Sequence, residues 1–266
     1  MNDTLTIFPY GPLLVQYATV IGLCSLRFAV PALMFPPIAN GLSGSVRTGV
    51  VMLFGSYVAY GQPLSLGQKI QGMSALLMTG REVLIGLLIG FAASSVFWAV
   101  ENAGIYIDNL TGYNNAQVSN PLRQEQSTPT STLLSQIATV AFWSLGGMTF
   151  LLGAIYESYR WWPIAAIKPI PLNILESFVL TQSDSLLQLT AKLSLPIVFI
   201  LLLVDFAFGF IGKSAEKLDL GTFSQPIKGA LTVLILALFA GLVIDQTRSQ
   251  LTLQALGAQL EHWIGH

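Results

Sequence analysis

Six stretches of this chain are apolar and long enough to be helices rather than strands: residues 12–38, 46–60, 83–100, 133–155, 186–211 and 230–244. Runs of this length need either a large protein core or lipid to cover them. Composition decides between the two, because only 9% of the 266 residues are charged and 53% are hydrophobic. That is less than half the usual share of Asp, Glu, Lys and Arg, so a soluble surface cannot be built from this chain. The reading is an all-α, membrane-protein-like set of helical hairpins, with residues 1–266 as a single domain and lipid as one of its partners. Two of the runs, 46–60 and 230–244, would reach only about 22 Å as helices, short of the ~30 Å hydrocarbon core of a bilayer.

Charge narrows the function classes. Twelve Lys and Arg against 13 Asp and Glu leave a net charge of -1, which offers no electrostatic footprint for nucleic acid. Cys24 is the one cysteine and pairs with nothing inside the chain, while His262 and His266 lie at the C-terminus without cysteine neighbours, so zinc and redox chemistry are not expected. No basic residue precedes the first apolar run, which therefore reads as retained rather than as a cleaved signal. With six spans assigned, Lys and Arg divide evenly between the two sides, five on each with Arg27 and Lys192 inside spans. A tie of this kind, together with two short runs, does not describe a standard six-span bundle.

Charges within apolar runs are expensive in lipid, which singles out Arg27, Lys192 and Asp205. Two readings stand side by side: a salt bridge that fixes one helix to another, with Arg27 and Asp205 as the expected pair, or the lining of an aqueous path. Gly86, Gly90 and Ser94 recur every four residues and lay small side chains along one helix face, for packing inside the chain or against another subunit. Between the third and fourth runs lies a long connection rich in Gly, Asn and Pro, read as turn chemistry from Gly104 to Pro129. No phosphate-binding loop, His-Glu-x-x-His or Gly-x-Ser-x-Gly motif occurs, so neither an enzyme nor a cofactor is expected.

Several segments together resemble the SctT family of type III secretion export-apparatus subunits, the injectisome counterparts of flagellar FliR. They are Leu26-Arg27 with Pro31, Pro36 and Arg47; Arg81-Glu82 ahead of Gly86 and Gly90; Ala103 to Asp108 with Gly112; and Leu195-Pro196 through Asp205 and Gly209. The most specific stretch is Asn120-Pro121-Leu122-Arg123-Gln124-Glu125-Gln126-Ser127-Thr128-Pro129, similar to the family's Asp-Pro-Leu-x-x-Glu-x-x-x-Pro with Asn120 in place of Asp. That loop and Glu157-Ser158-Tyr159-Arg160-Trp161-Trp162-Pro163 favour the injectisome branch. Pro226-Ile227-Lys228 fits as well, whereas Ala215 to Gly221 departs from the family's usual Pro-Gln-Asn-Phe cluster.

The resemblance implies a subunit of a protein-export gate, assembled with SctR and SctS homologues into a closed channel and wrapped by an SctU homologue. Unfolded secreted proteins would pass through it, and the core would sit in the inner membrane of a Gram-negative basal body, raised toward the periplasm. It also implies that the loop is a plug across the channel, carried by Gly104, Ile107, Asp108, Gly112, Asn120, Pro121, Glu125 and Pro129. A polar, Gly-rich loop suits that role because it has no apolar face to bury and is displaced at low cost. The alternatives are an ordinary surface loop for this segment and a self-contained polytopic secondary transporter for the whole chain, the latter expected to show inverted internal symmetry.

Overall fold

A computed structural model of the chain describes residues 11–63, 65–70, 72–113, 118–119, 126–165, 172–214, 221–251 and 253. Among them the chain is all-α, with helices α1 (Gly11–Met34), α2 (Pro36–Ala39), α3 (Gly44–Tyr60), α4 (Ser65–Lys69), α5 (Gly72–Thr111), α6 (Pro129–Ser144), α7 (Gly147–Trp161), α8 (Leu172–Ser214) and α9 (Gly221–Leu251). One short antiparallel pair, β1 (Val118–Ser119) with β2 (Gln126–Ser127), sets Val118 opposite Ser127 and Ser119 opposite Gln126.

Three of these helices are long and apolar enough to cross a membrane: Gly11–Met34, Gly72–Thr111 and Leu172–Lys213. The 133–155 run is broken, since α6 stops at Ser144 and α7 starts at Gly147, with Gly146 between them at φ 75°. A left-handed residue there ends a helix at little steric cost because glycine has no Cβ. Of the two short runs, 46–60 lies in α3, which has 17 residues, whereas 230–244 lies inside α9, a helix of 31 residues. The fifth run continues as one helix through Pro196.

Contacts divide the chain into two compact units, one holding residues up to Ser94 with Leu151–Leu175, the other Ser95–Phe150 with Glu176–Ala255. In the first unit α1 and α3 form an antiparallel hairpin. Phe35 is extended (φ -77°, ψ 112°), as a residue before proline must be, and Pro36 then starts α2 where a missing N–H costs nothing. Cys24 meets Ala59 in a core shared with Val20, Leu23, Leu66, Met78 and Ile164. Beside it Phe28 stacks on Phe54 and Tyr159 and takes the edge of Tyr156.

Helices approach this closely only where side chains are small. A Cβ built on Gly55 of α3 falls 2.7 Å from the Ser25 Cα of α1, a backbone obstruction that no rotamer change relieves. In the second unit, Phe97 and Phe142 pack edge to face 5.8 Å apart, and Thr190 donates to the Ala99 carbonyl at 3.3 Å. Gly55→Val is therefore expected to lower the folded yield sharply, by an amount at or above the roughly 1–3 kcal/mol of ordinary overpacking. The thermal midpoint of the purified protein, compared with that of Gly22→Ala where a Cβ meets nothing within 4 Å, checks it.

Candidate functional site

Two groups of side chains carry the polar chemistry, one in each unit. In the first, Glu82, Gly86, Gly90 and Ser94 recur every four residues and so share one face of α5. Gly86 lets that face reach α1: its Cβ would stand 3.0 Å from Val30 Cβ and 3.5 Å from Arg27 Cα. Gly90 does the same against Pro31, at 3.2 Å. The stripe read as a subunit-packing surface is thus occupied by α1 of this same chain at Gly86 and Gly90, and Ser94 is buried.

That close approach brings Glu82 to Arg27. The guanidinium, 0% exposed, binds the carboxylate with two bonds, Nε to Oε2 at 2.7 Å and Nη2 to Oε1 at 2.8 Å. Nη1 donates to Ser158 Oγ at 3.1 Å and Nη2 to the Trp162 carbonyl at 3.0 Å, just past the end of α7. The Tyr159 ring lies 3.9 Å from the guanidinium carbon, and its hydroxyl donates to the Cys24 carbonyl at 2.7 Å. A buried cation is tolerated only when its charge is met and its nitrogens have partners, and here the carboxylate meets the charge and each of the three nitrogens has an acceptor.

The expected pairing of Arg27 with Asp205 is corrected accordingly: Arg27 pairs with Glu82, and Asp205 with Lys228. Nor are all three charges buried, since Lys192 is exposed and the Asp205 side chain is 39% exposed. An apolar run along the sequence measures a residue's neighbours in the chain, not the helix face on which it lies. Glu82 was legible only as part of the Arg81-Glu82 motif, because 55 residues separate it from Arg27.

The second group surrounds the connection between α5 and α6. Its start is later than the composition suggests, for Gly104, Ile107 and Asp108 are buried residues inside α5. The physical reason is that glycine and aspartate serve here in helix contact rather than in a turn. A Cβ on Gly104 would fall 2.6 Å from the Ser131 nitrogen, so its absence lets the first turn of α6 rest on α5. Asp108, one turn further on, accepts the Thr130 N–H through Oδ2 at 2.8 Å. Thr128, the residue that would ordinarily cap α6, makes no side-chain cap bond, and Pro129 at the first helical position has no N–H to satisfy. A carboxylate from the neighbouring helix therefore caps α6 and meets its positive end.

The entry side is held differently. Gly112, at φ 81°, ends α5 in the left-handed conformation that favours glycine, with the end of the Gln225 side chain beside it. Lys228 of α9 donates to the Leu110 carbonyl in the last turn of α5 at 2.7 Å and pairs with Asp205 of α8 at 2.8 Å. Tyr113 lies against Gly229, whose Cβ would stand 2.6 Å from the ring carbon bearing the hydroxyl. Lys228, named by the family resemblance but not singled out as a site residue, is thus central to this end of the loop. Asn120, Pro121 and Glu125 lie outside the described residues, and Pro129 opens α6.

An all-α chain with three helices long and apolar enough to cross a membrane and a buried ion pair has the architecture of a membrane protein. A family model described as bacterial export proteins, family 1, matches residues 18–253, and the chain belongs to that family. It is similar to Yop proteins translocation protein T of Yersinia pestis, at 32% identity over 80% of this chain and 82% of the relative. It is likewise similar to secretion system apparatus protein SsaT of Salmonella typhimurium, at 32% over 83% and 86%, and to flagellar biosynthetic protein FliR of Bacillus subtilis, at 25% over 67% and 69%. The chain is a type III export-apparatus component and not a secondary transporter.

Arg27→Met is expected to cost about 3–5 kcal/mol, since it strands the Glu82 carboxylate, and the double variant Arg27→Met/Glu82→Leu to cost less than the single one. Arg27→Lys should not rescue, because one ammonium cannot supply the fork that holds Glu82 together with Ser158 and Trp162. Thermal midpoints of these variants and of Glu82→Leu alone, against wild type, form the check; additive losses in the double variant would contradict the pairing.

Proposed function

We propose that the chain is one subunit of a closed protein-conducting gate in the inner membrane of a Gram-negative bacterium, assembled with SctR and SctS homologues and engaged by an SctU homologue. Unfolded secreted proteins are its passing substrates. The gate stands at the core of the secretion basal body, raised toward the periplasm, and the whole chain acts in it as a single export-apparatus domain. The subunit catalyses nothing and holds no cofactor, so the driving force comes from elsewhere in the machine.

The connection between α5 and α6 is the seal. The observation that carries this reading is that both ends of the segment are fixed, by Asp108 on α6 and by Lys228 on α5, while the segment between them is rich in Asn, Gln and Ser. A loop held at its base and polar along its length closes a water-filled path without committing apolar surface that opening would have to expose. Partner subunits are expected to cover the outward faces of α8, only 11% of whose most apolar 18-residue window is buried within the chain itself. A face this apolar is stable against lipid or another protein, and the name of one relative, a secretion system apparatus protein, supports the second.

Deleting residues 114–117 leaves both anchors in place and should give an apparatus that assembles but leaks ions at rest. Membrane conductance of cells carrying the deletion measures it. An assembled apparatus as tight as wild type would show that this segment is an ordinary surface loop.

A further inference from the structure

Within the second unit, α6 and α9 start beside the same end of α5 and run the same way. Gly104 and Asp108 hold the first turn of α6 against α5, while Lys228 holds an early turn of α9 against the Leu110 carbonyl. Ile244, about 24 Å further along α9 than Lys228, therefore lies beside the far end of α6, where Ser144 is about 21 Å from Thr130. Between the two helices is a groove of about 410 Å³, lined by α6 from Leu133 to Leu145 and by Ile244 of α9. Its polar residues are Gln136 and Ser144, and the Ser144 hydroxyl is turned back onto the Val140 and Ala141 carbonyls of its own helix, at 2.6 and 3.2 Å. Spread over the roughly 18 Å from Leu133 to Leu145, that volume gives a mean cross-section of about 23 Å², or about 5–6 Å across. A helix, ~10–12 Å wide with its side chains, does not fit such a slot, whereas one extended hydrocarbon chain does. The length is close to half of the ~30 Å bilayer core, the depth of one leaflet.

One end of the groove is marked by two side chains of a particular kind. Trp143 of α6, 49% exposed within the chain, stands at the Ser144 end. Arg248 of α9 lies one turn beyond Ile244, about 40° round the helix from it, exposed and in no ion pair among the described residues. Asp245 lies about 100° round from Ile244, to the flank. A tryptophan beside a cation is the pairing found at headgroup depth, where an apolar ring meets hydrocarbon and its N–H meets the polar layer. We propose that the groove holds one acyl chain of a phospholipid, with the Arg248 guanidinium on the headgroup phosphate. Arginine suits that contact because its fork meets two phosphate oxygens with parallel N–H bonds. The lipid joins α6 to α9 at the end that Asp108 and Lys228 do not reach, and its binding is independent of what the connection between α5 and α6 does.

The experiment uses the assembled apparatus, purified into nanodiscs of phosphatidylcholine and phosphatidylglycerol, with a phosphatidylglycerol probe that carries a photo-reactive diazirine midway along one acyl chain. Illumination should place adducts on α6 between Leu133 and Leu145. Val140→Trp fills the groove from a position 67% exposed, so no core has to repack, and it should remove most of that adduct while label elsewhere on the apparatus stays the same. Arg248→Gln should lower the same adduct roughly five-fold, the weight of one basic side chain on an anionic lipid surface. Label on α6 that neither substitution lowers would be bulk lipid and would overturn the site. Loss with only one of the two would overturn it as well, since the proposal needs the chain in the groove and the phosphate on Arg248 together. No label on α6, with the probe attached elsewhere on the apparatus, would show another subunit covering the groove and would overturn lipid occupancy while leaving the export gate standing.

Discussion

The first unit depends on one interaction, the two-toothed bond between Arg27 and Glu82 in a site without solvent. A guanidinium placed mid-helix in an apolar run destabilises the fold unless its charge is met and its nitrogens find acceptors, and meeting that need fixes three pieces of chain at once. Glu82 comes from α5, Ser158 from α7, and the Trp162 carbonyl from just beyond α7. The glycines at 86 and 90 follow from this requirement. Without them α5 could not lie close enough to α1 for Glu82 to reach, so a pattern of small residues in one helix is the counterpart of a charge in another.

The second unit solves a different problem with the same chemistry. A loop inserted between two helices leaves orphan carbonyls at the end of one and orphan N–H groups at the start of the next. Thr111 and Gly112 cap the end of α5 locally, and side chains from elsewhere in the unit add to both ends. Asp108 reaches across to cap α6 and Lys228 reaches across to cap α5, so the charges that satisfy the helix ends also hold the loop at its base. On the proposed reading of this loop as a seal, that arrangement lets it move while the helices that carry it remain folded.

Much of this was legible beforehand, and the failures have specific causes. Apolar run length announced an all-α membrane protein and flagged the short α3, because burial in lipid is a property of a whole segment, but it fell short for α9, whose helix extends through polar residues on both sides of the 230–244 run. The partners of the charges were not legible, since Arg27 and Glu82 are far apart in sequence and Asp205 finds its cation on the next helix rather than on the first. The break at Gly146 was hidden inside an apolar stretch, where composition carries no sign of a left-handed backbone. Gly104 and Asp108 were misplaced for the opposite reason: residues typical of turns were used for a close helix contact and for a cap supplied to another helix. The motif from Asn120 to Pro129 pointed to the family, and the family match bears that resemblance out.

The central claim is that exported protein passes the connection between α5 and α6. A photo-reactive residue at Tyr113 in the assembled, working apparatus tests it most directly, with a substrate stalled in transit by a folded tail. The account predicts an adduct between position 113 and the stalled chain, and none from the same probe at the exposed Tyr60 of α3. Adducts at Tyr60 but not at Tyr113, under conditions where the substrate is demonstrably stalled, would contradict it.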